Sequence, residues 1–266
     1  MPMNNRLLRP LQTPGLLDLV PGAAAAYSLR SLSRSYAGPV VTVRRSSDDA
    51  EDSFTAAEVA DGTLAAFCGA GDGLVKQWWD QSGNARHAAQ LTNNNQPIIV
   101  DDGVLNLQDG KPAISFDGTS NRLQTSVNLG TANSFFVVAT PSSTTNAYLI
   151  RSNGSAGSPA IISNFSSLSL EFYTSAERET LLDSGDSLTA IGVVQEDGGM
   201  LFGTLNGATA FNTTSSLSGT DSLQVTVIGS SGTANYFAGN MLEVLIYTKN
   251  AYSQHQLATG NQMWYY

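Results

Sequence analysis

The sequence predicts an all-β sandwich carrying short helices near its start and at its C-terminus. Three observations support this. Only 13% of the 266 residues are charged, whereas 41% are hydrophobic and 25 are glycine. Short apolar, β-branched runs recur at intervals of roughly ten to twenty residues, divided by Gly, Asn, Asp and Ser clusters. Several runs alternate: Leu168, Leu170 and Phe172 share one face, and Ser169, Glu171 and Tyr173 the other.

Residues 1–22 read as an extended arm, because Pro2, Pro10, Pro14 and Pro21 each oppose helix or central strand. From Ala23 to Tyr36, the spacing of Tyr27, Leu29, Leu32 and Tyr36 predicts a short amphipathic helix, stopped by Gly38-Pro39. Val40 to Val43 reads as a strand. Thr55 with Glu58 three residues on forms a capping-box pattern for a helix through Val59, and Leu64 to Cys68 is a further turn or helix ended by Gly69. Strands follow at Val75–Trp79, Pro97–Val100, Ala113–Phe116, Ser134–Ala139, Ala147–Ile150 and Ser167–Tyr173, then at Leu188–Gln195, Met200–Leu205, Ser222–Ile228 and Tyr236–Tyr247. A terminal helix is predicted over Ser253–Tyr265, with Ser253 as N-cap and Leu257, Met263 and Trp264 on or near its buried face. The expected division is an anchoring arm, 1–22, and one sandwich, 23–266, made of an elaborated segment 23–100 and a core 101–266.

Composition excludes several classes. A formal charge of −9 argues against a basic stripe for nucleic acid. No apolar run reaches the roughly 18 residues of a membrane span. Cys68 is the single cysteine, so no intrachain disulfide is expected, and Arg6 and Arg9 are followed by no apolar segment of a secretory signal.

The most distinctive stretch is Trp78-Trp79-Asp80-Gln81-Ser82-Gly83-Asn84, followed by Arg86 and His87. Adjacent tryptophans on a strand point to opposite faces. Trp78, Trp79, Asp80 and Asn84 are therefore candidates for carbohydrate binding, through ring stacking and hydroxyl contacts. The same residues also suit a hydrogen-bonded turn that pins one strand to the next. Glycosidase chemistry needs two carboxyl groups across the scissile bond, for which Glu171 and Glu243 are candidates. Asp48-Asp49 with Glu51-Asp52, and Asp101-Asp102, are oxygen-rich enough for calcium but lack an EF-hand spacing, and two distant histidines make no metal centre. No metal and no cofactor are expected.

Four motifs in order, Ala26-Tyr27-Ser28-Leu29-Arg30, Val43-Arg44-Arg45-Ser46-Ser47-Asp48-Asp49, Phe67-Cys68 and Trp79-Asp80-Gln81-Ser82-Gly83-Asn84, resemble the opening half of α-L-arabinofuranosidase B catalytic domains. The resemblance implies a concanavalin-like jelly-roll sandwich. It implies a cysteine partner for Cys68 where this chain has Gly73, and a nucleophile at the place of Glu171. It also implies an acid/base aspartate in a loop that corresponds to Ile228-Gly229-Ser230-Ser231-Gly232, which holds no carboxylate. Residues 110–266 are similar to laminin-G-like jelly rolls, through Gly110-Lys111-Pro112-Ala113-Ile114-Ser115-Phe116-Asp117-Gly118 and the run Phe237 to Tyr247. Asn4-Asn5-Arg6-Leu7-Leu8-Arg9-Pro10 resembles short leaders of tailed-phage virion proteins.

Taken together, these readings lead to the expectation of a non-enzymatic bacteriophage virion protein, a capsid decoration or tail fibre. Arg6, Leu7, Leu8, Arg9 and Leu11 would dock it on the particle. The expected partners are other virion proteins, further copies of the chain (a trimer by preference) and a host-surface glycan, without nucleic acid or membrane insertion. The expected location is the virion, assembled in the host cytoplasm. The alternatives are an arabinofuranosidase-type glycoside hydrolase and a free carbohydrate-binding lectin.

Overall fold

The computed structural model describes residues 14–127, 133–142, 147–152, 160–164, 169–173, 178–183, 189–195, 200–214 and 226–266. Strand pairing traces two antiparallel layers. The first runs Ala208–Thr214, Met200–Leu205, Thr189–Gln195, Asn133–Pro141, Ala238–Tyr247. Ala25–Ser28 and Ile114–Asp117 then lie in tandem along the free edge of Ala238–Tyr247. The second layer runs Arg178–Asp183, Ser169–Tyr173, Ala160–Asn164, Ala147–Ser152, Thr226–Ile228, Leu123–Thr125, Ala88–Ala89. It continues through Gly73–Trp78, Val41–Arg45 and Glu51–Phe54.

The core follows from the two-residue period of a strand. Phe135 and Val137 point between the layers and meet a cluster that includes Val43, Val75, Trp78, Leu123 and Ile228. Phe136, on the opposite face, joins Ala26, Leu245 and Tyr247 in a second cluster. That outer cluster is roofed by Leu16 and Val20, by Leu32, and by Ala251 and Ala258. Asn133–Pro141 is therefore buried at every position, covered on both faces as an interior strand must be.

Three expectations change. Ala23–Tyr36 contains no helix; Ala25–Ser28 is a wholly buried strand, paired Ala25 with Ile246 through Ser28 with Glu243. Small alanines with one large Tyr27 fit a strand squeezed from both sides, and the open edge of Ala238–Tyr247 overrides the weak helical spacing. The arm is not free along its described part. Residues Leu16–Leu19 form a helical turn, Leu16 and Val20 are fully buried, and the Tyr247 hydroxyl donates to the Val20 carbonyl at 2.7 Å. Residues 1–13, with the docking candidates Arg6, Leu7, Leu8, Arg9 and Leu11, lie outside the described residues. The terminal helix, His255–Tyr265, has the opposite face inward: Ala258, Thr259 and Gln262 are buried, while Leu257, Met263 and Trp264 are 50%, 48% and 72% exposed. Its N-cap is Gln254 and makes no side-chain cap. The helix at Ala56–Ala60 carries the expected box, with Thr55 accepting from the Glu58 N–H.

Candidate functional site

The Trp-Trp-Asp-Gln-Ser-Gly-Asn turn grips the strand beside it. Asp80 Oδ1 accepts the N–H of Ala26 at 2.9 Å and of Ser82 at 2.8 Å, and Oδ2 accepts the Ser82 hydroxyl at 2.8 Å and the Arg86 N–H at 3.0 Å. Gln81 donates to the carbonyls of Ser28 and Arg30, both at 2.9 Å, and accepts the Leu32 N–H at 2.8 Å. Asn84 donates to the Ala23 and Ala24 carbonyls at 2.9 and 3.2 Å. One short turn thus satisfies the backbone from Ala23 to Leu32, which a strand bordering irregular chain would otherwise leave unpaired.

The tryptophans divide as their alternation requires. Trp78 is fully buried, its ring 5.7 Å from Tyr27. Trp79 is partly exposed; its indole N–H donates to Thr42 Oγ1 at 2.8 Å and its ring lies 4.4 Å from that of His87. Burial lowers the His87 pKa against the pull of Asp80, in keeping with a neutral ring whose Nδ1 accepts the Asp80 N–H. Among the four carbohydrate candidates, Trp78 has no exposed face and the Asp80 oxygens are occupied by the chain itself. A cavity of about 400 Å³ borders the turn, but Gln81, Ser82 and Gly83 line it rather than those four.

Glu243 is not poised for chemistry. It is fully buried, forked onto Arg30 (Nε to Oε2 2.8 Å, Nη2 to Oε1 3.1 Å), and accepts from Gln262 Nε2 and the Tyr266 hydroxyl, each at 3.2 Å. Arg30 also donates to Asn261 Oδ1 at 2.8 Å and stacks 4.3 Å from the Tyr265 ring centroid. Burial opposes the Arg30 charge, but the Glu243 carboxylate outweighs it and raises the pKa. The network ties the first strand, the long central strand and the terminal helix together. Neither Arg30 nor Gln81 stood out in the sequence as a candidate, although both lie within the motifs that carry the family resemblance.

Cys68 is buried, and burial raises its thiol pKa. A Cβ built on Gly73 falls 2.7 Å from Cys68 Sγ. The two residues thus stand in the relation that the family resemblance implies for a cysteine pair, with one member replaced by glycine.

The loop that the resemblance sets at the acid/base position, Ile228–Gly232, is closed by its own serines. Ser230 is fully buried and accepts the Gly232 N–H at 2.9 Å, while the Ser231 hydroxyl donates to the Ala234 carbonyl at 2.7 Å. Gly229 has φ +86°, and a Cβ there would strike the Phe116 ring at 2.4 Å. Glu171 lies in strand Ser169–Tyr173, opposite Ile162, and the pairing register with Arg178–Asp183 shifts between Leu170 and Glu171.

The acidic stretches are largely committed to cations of the chain. Arg44 binds Asp49 at 2.6 Å, Arg45 binds Asp48 at 2.7 Å and Lys76 binds Glu51 at 2.6 Å. The bond to Arg45 is the first cause holding Asp48 down at about 2. Asp101 and Asp102 are joined by Asp72, with carboxylate oxygens within 4.8 Å of one another.

The family model described as α-L-arabinofuranosidase B, catalytic, matches residues 18–156, more than half of the chain, and the chain belongs to that family. The fold agrees. A GH54 α-L-arabinofuranosidase soaked with a cyclic sulfate inhibitor superposes with TM-score 0.68 at 16% identity, covering 94% of this chain and 65% of that one. An arabinofuranosidase complexed with arabinofuranosyl-α-1,2-xylobiose gives 0.67 at 17%, covering 94% and 64%. The botulinum neurotoxin serotype D binding domain gives 0.53 at 10%, covering 85% and 51%. The chain spans just under two thirds of the length of the arabinofuranosidases it superposes on. No curated protein matches it in sequence. The family match overturns the expectation of a non-enzyme, since the family is described by the catalytic domain of an arabinofuranosidase. Among the described residues, no helix is long and apolar enough to cross a membrane.

Proposed function

We propose that the chain is an arabinofuranosidase-type glycoside hydrolase domain. The observation that carries this reading is the family match over residues 18–156, which takes in all four motifs between Ala26 and Asn84. Glu171 is the proposed nucleophile. The resemblance that places a nucleophile at Glu171 supports the assignment. Retaining hydrolysis uses two carboxyl groups about 5–5.5 Å apart. The Ile228–Gly232 loop supplies no second one, and Glu243 is locked on Arg30.

The chemistry of a nucleophile lacking its usual partner is specific. Attack by a Glu171 oxygen forms a bond to the anomeric carbon and breaks the bond to the leaving oxygen, which departs with the electron pair and no proton. A nitrophenolate tolerates this, whereas a sugar alkoxide does not. Hydrolysis of the glycosyl-enzyme then lacks a base for water, but azide needs none. The test is turnover of 4-nitrophenyl α-L-arabinofuranoside with and without azide. The expected result is slow release of nitrophenolate, accelerated about tenfold or more by azide with formation of the arabinofuranosyl azide, and lost in Glu171→Gln. Absence of turnover in both conditions refutes the hydrolase reading; undiminished turnover in Glu171→Gln refutes the nucleophile.

A virion location is a second proposal, favoured by the leader at Asn4–Pro10, with virion proteins, further copies of the chain and a host glycan as its partners. Mass spectrometry of purified particles tests it.

A further inference from the structure

The exposed face of the terminal helix opens onto a groove. Two contiguous cavities, of about 330 and 540 Å³, share Arg30, Ser31, Lys111 and Tyr265 in their walls; the larger is completed by Pro14, Gly15, Asn261 and Trp264. Trp264 is 72% exposed, unlike Trp78 in the core and Trp79 against His87. Two cations approach the Tyr265 ring, with the Arg30 guanidinium carbon 4.3 Å and Lys111 Nζ 4.1 Å from its centroid. The Arg30 charge is answered by Glu243, whereas Lys111 makes no ion pair with any carboxylate among the described residues. Asn261 spends its oxygen on Arg30 and lines the larger cavity, and its side-chain N–H groups make no hydrogen bond among the described residues.

We propose that this groove is a glycan-binding subsite, with a sugar ring stacked on the Trp264 indole and sugar oxygens accepting from the Lys111 ammonium and the Asn261 amide. A saccharide is the ligand these parts fit: it presents an apolar C–H face to an aromatic ring and hydroxyl acceptors along its edge to the ammonium and the amide. The proposal deepens the carbohydrate-active reading and rests on it for the choice of polymer, but it concerns different residues from Glu171.

The experiment is affinity electrophoresis of the full chain through gels containing soluble arabinoxylan, for wild type, Trp264→Ala, Trp264→Phe and Lys111→Ala. Turnover of the aryl arabinofuranoside and thermal melting are recorded in parallel. Expected are a Kd raised about tenfold or more in Trp264→Ala, partial recovery in Trp264→Phe, weakening in Lys111→Ala, and unchanged melting and aryl-glycoside turnover. Wild-type retardation without any effect of Trp264→Ala and Lys111→Ala overturns the proposal. So does the absence of retardation, or a change of oligomeric state on Trp264→Ala, which would make the face a contact between copies. Polymer binding and aryl-glycoside turnover are read separately, so the subsite and the hydrolase reading stand or fall independently.

Discussion

Installing a cysteine at Gly73 tests the family relationship at atomic scale. In a disulfide, an S–S length of about 2.04 Å places each Cβ about 3 Å from the opposite sulfur. The Cβ position at Gly73 is already 2.7 Å from Cys68 Sγ, so closure asks for a shift of a few tenths of an ångström. The same Cβ lies 3.1 Å from Val100 Cβ and from Val43 Cγ1, so the added atoms crowd the core. Reduced Gly73→Cys should therefore lose about 1–3 kcal/mol. Cross-linking over the six-residue loop returns about 2 kcal/mol by the loop-entropy relation. In a chain of this size that corresponds to about 4 °C or more between the oxidised and reduced forms. The assays are intact mass, which should fall by two hydrogens on mild oxidation, thiol titration under native and denaturing conditions, and calorimetry with and without reductant. Gly73→Ala, crowded but unable to cross-link, should melt low regardless of redox state. Two thiols that stay free in the oxidised folded protein would refute the placement of Gly73 at the lost cysteine position.

Other perturbations follow from the hydrogen-bonded carboxylates. Glu243→Gln leaves the Arg30 charge without its counter-ion and should cost about 3–5 kcal/mol in denaturant unfolding; a change under 1 kcal/mol would show that the Asn261 and tyrosine contacts suffice. Asp80→Ala strands the Ala26 and Arg86 N–H groups and should cost about 2–5 kcal/mol, with early loss of amide protection around Ala23–Leu32; uniform protection loss would contradict the clamp. Asp117 accepts the N–H groups of Thr119, Ser120 and Asn121 at 2.9 Å each, and although burial would raise its pKa, these bonds lower it below the ordinary 3.8. Its contribution is complete above that ordinary value and is lost as pH falls toward the depressed folded one. Wild type should thus melt higher than Asp117→Asn at neutral pH and converge with it in acid; parallel curves would refute the assignment.

Much of the fold was legible. Continuous apolar runs marked Asn133–Pro141 and Ala238–Tyr247 to within a few residues, because strands covered on both faces are largely apolar. Thr55 and Glu58 declared their helix, since a capping box is a local device. Strands such as Glu51–Phe54 and Leu123–Thr125 were not legible, being short, polar and formed by the edge they meet. Asn206-Gly207, both at positive φ between Met200–Leu205 and Ala208–Thr214, is a two-residue hairpin turn of the kind that an Asn-Gly pair encodes locally.

By itself the sequence determined the layer architecture, the turn chemistry of Asp80 to Asn84 and the absence of a carboxylate between Ile228 and Gly232, because these rest on residue type and local spacing. Tertiary structure alone decided the rest. It made Ala25–Ser28 a strand by offering it an open edge, and it turned Glu243 inward onto Arg30. It also set Gly73 against Cys68 and left Trp264 facing solvent. Each of those outcomes depends on which distant surface arrives opposite the residue, and that is a property of packing that a one-dimensional pattern does not contain.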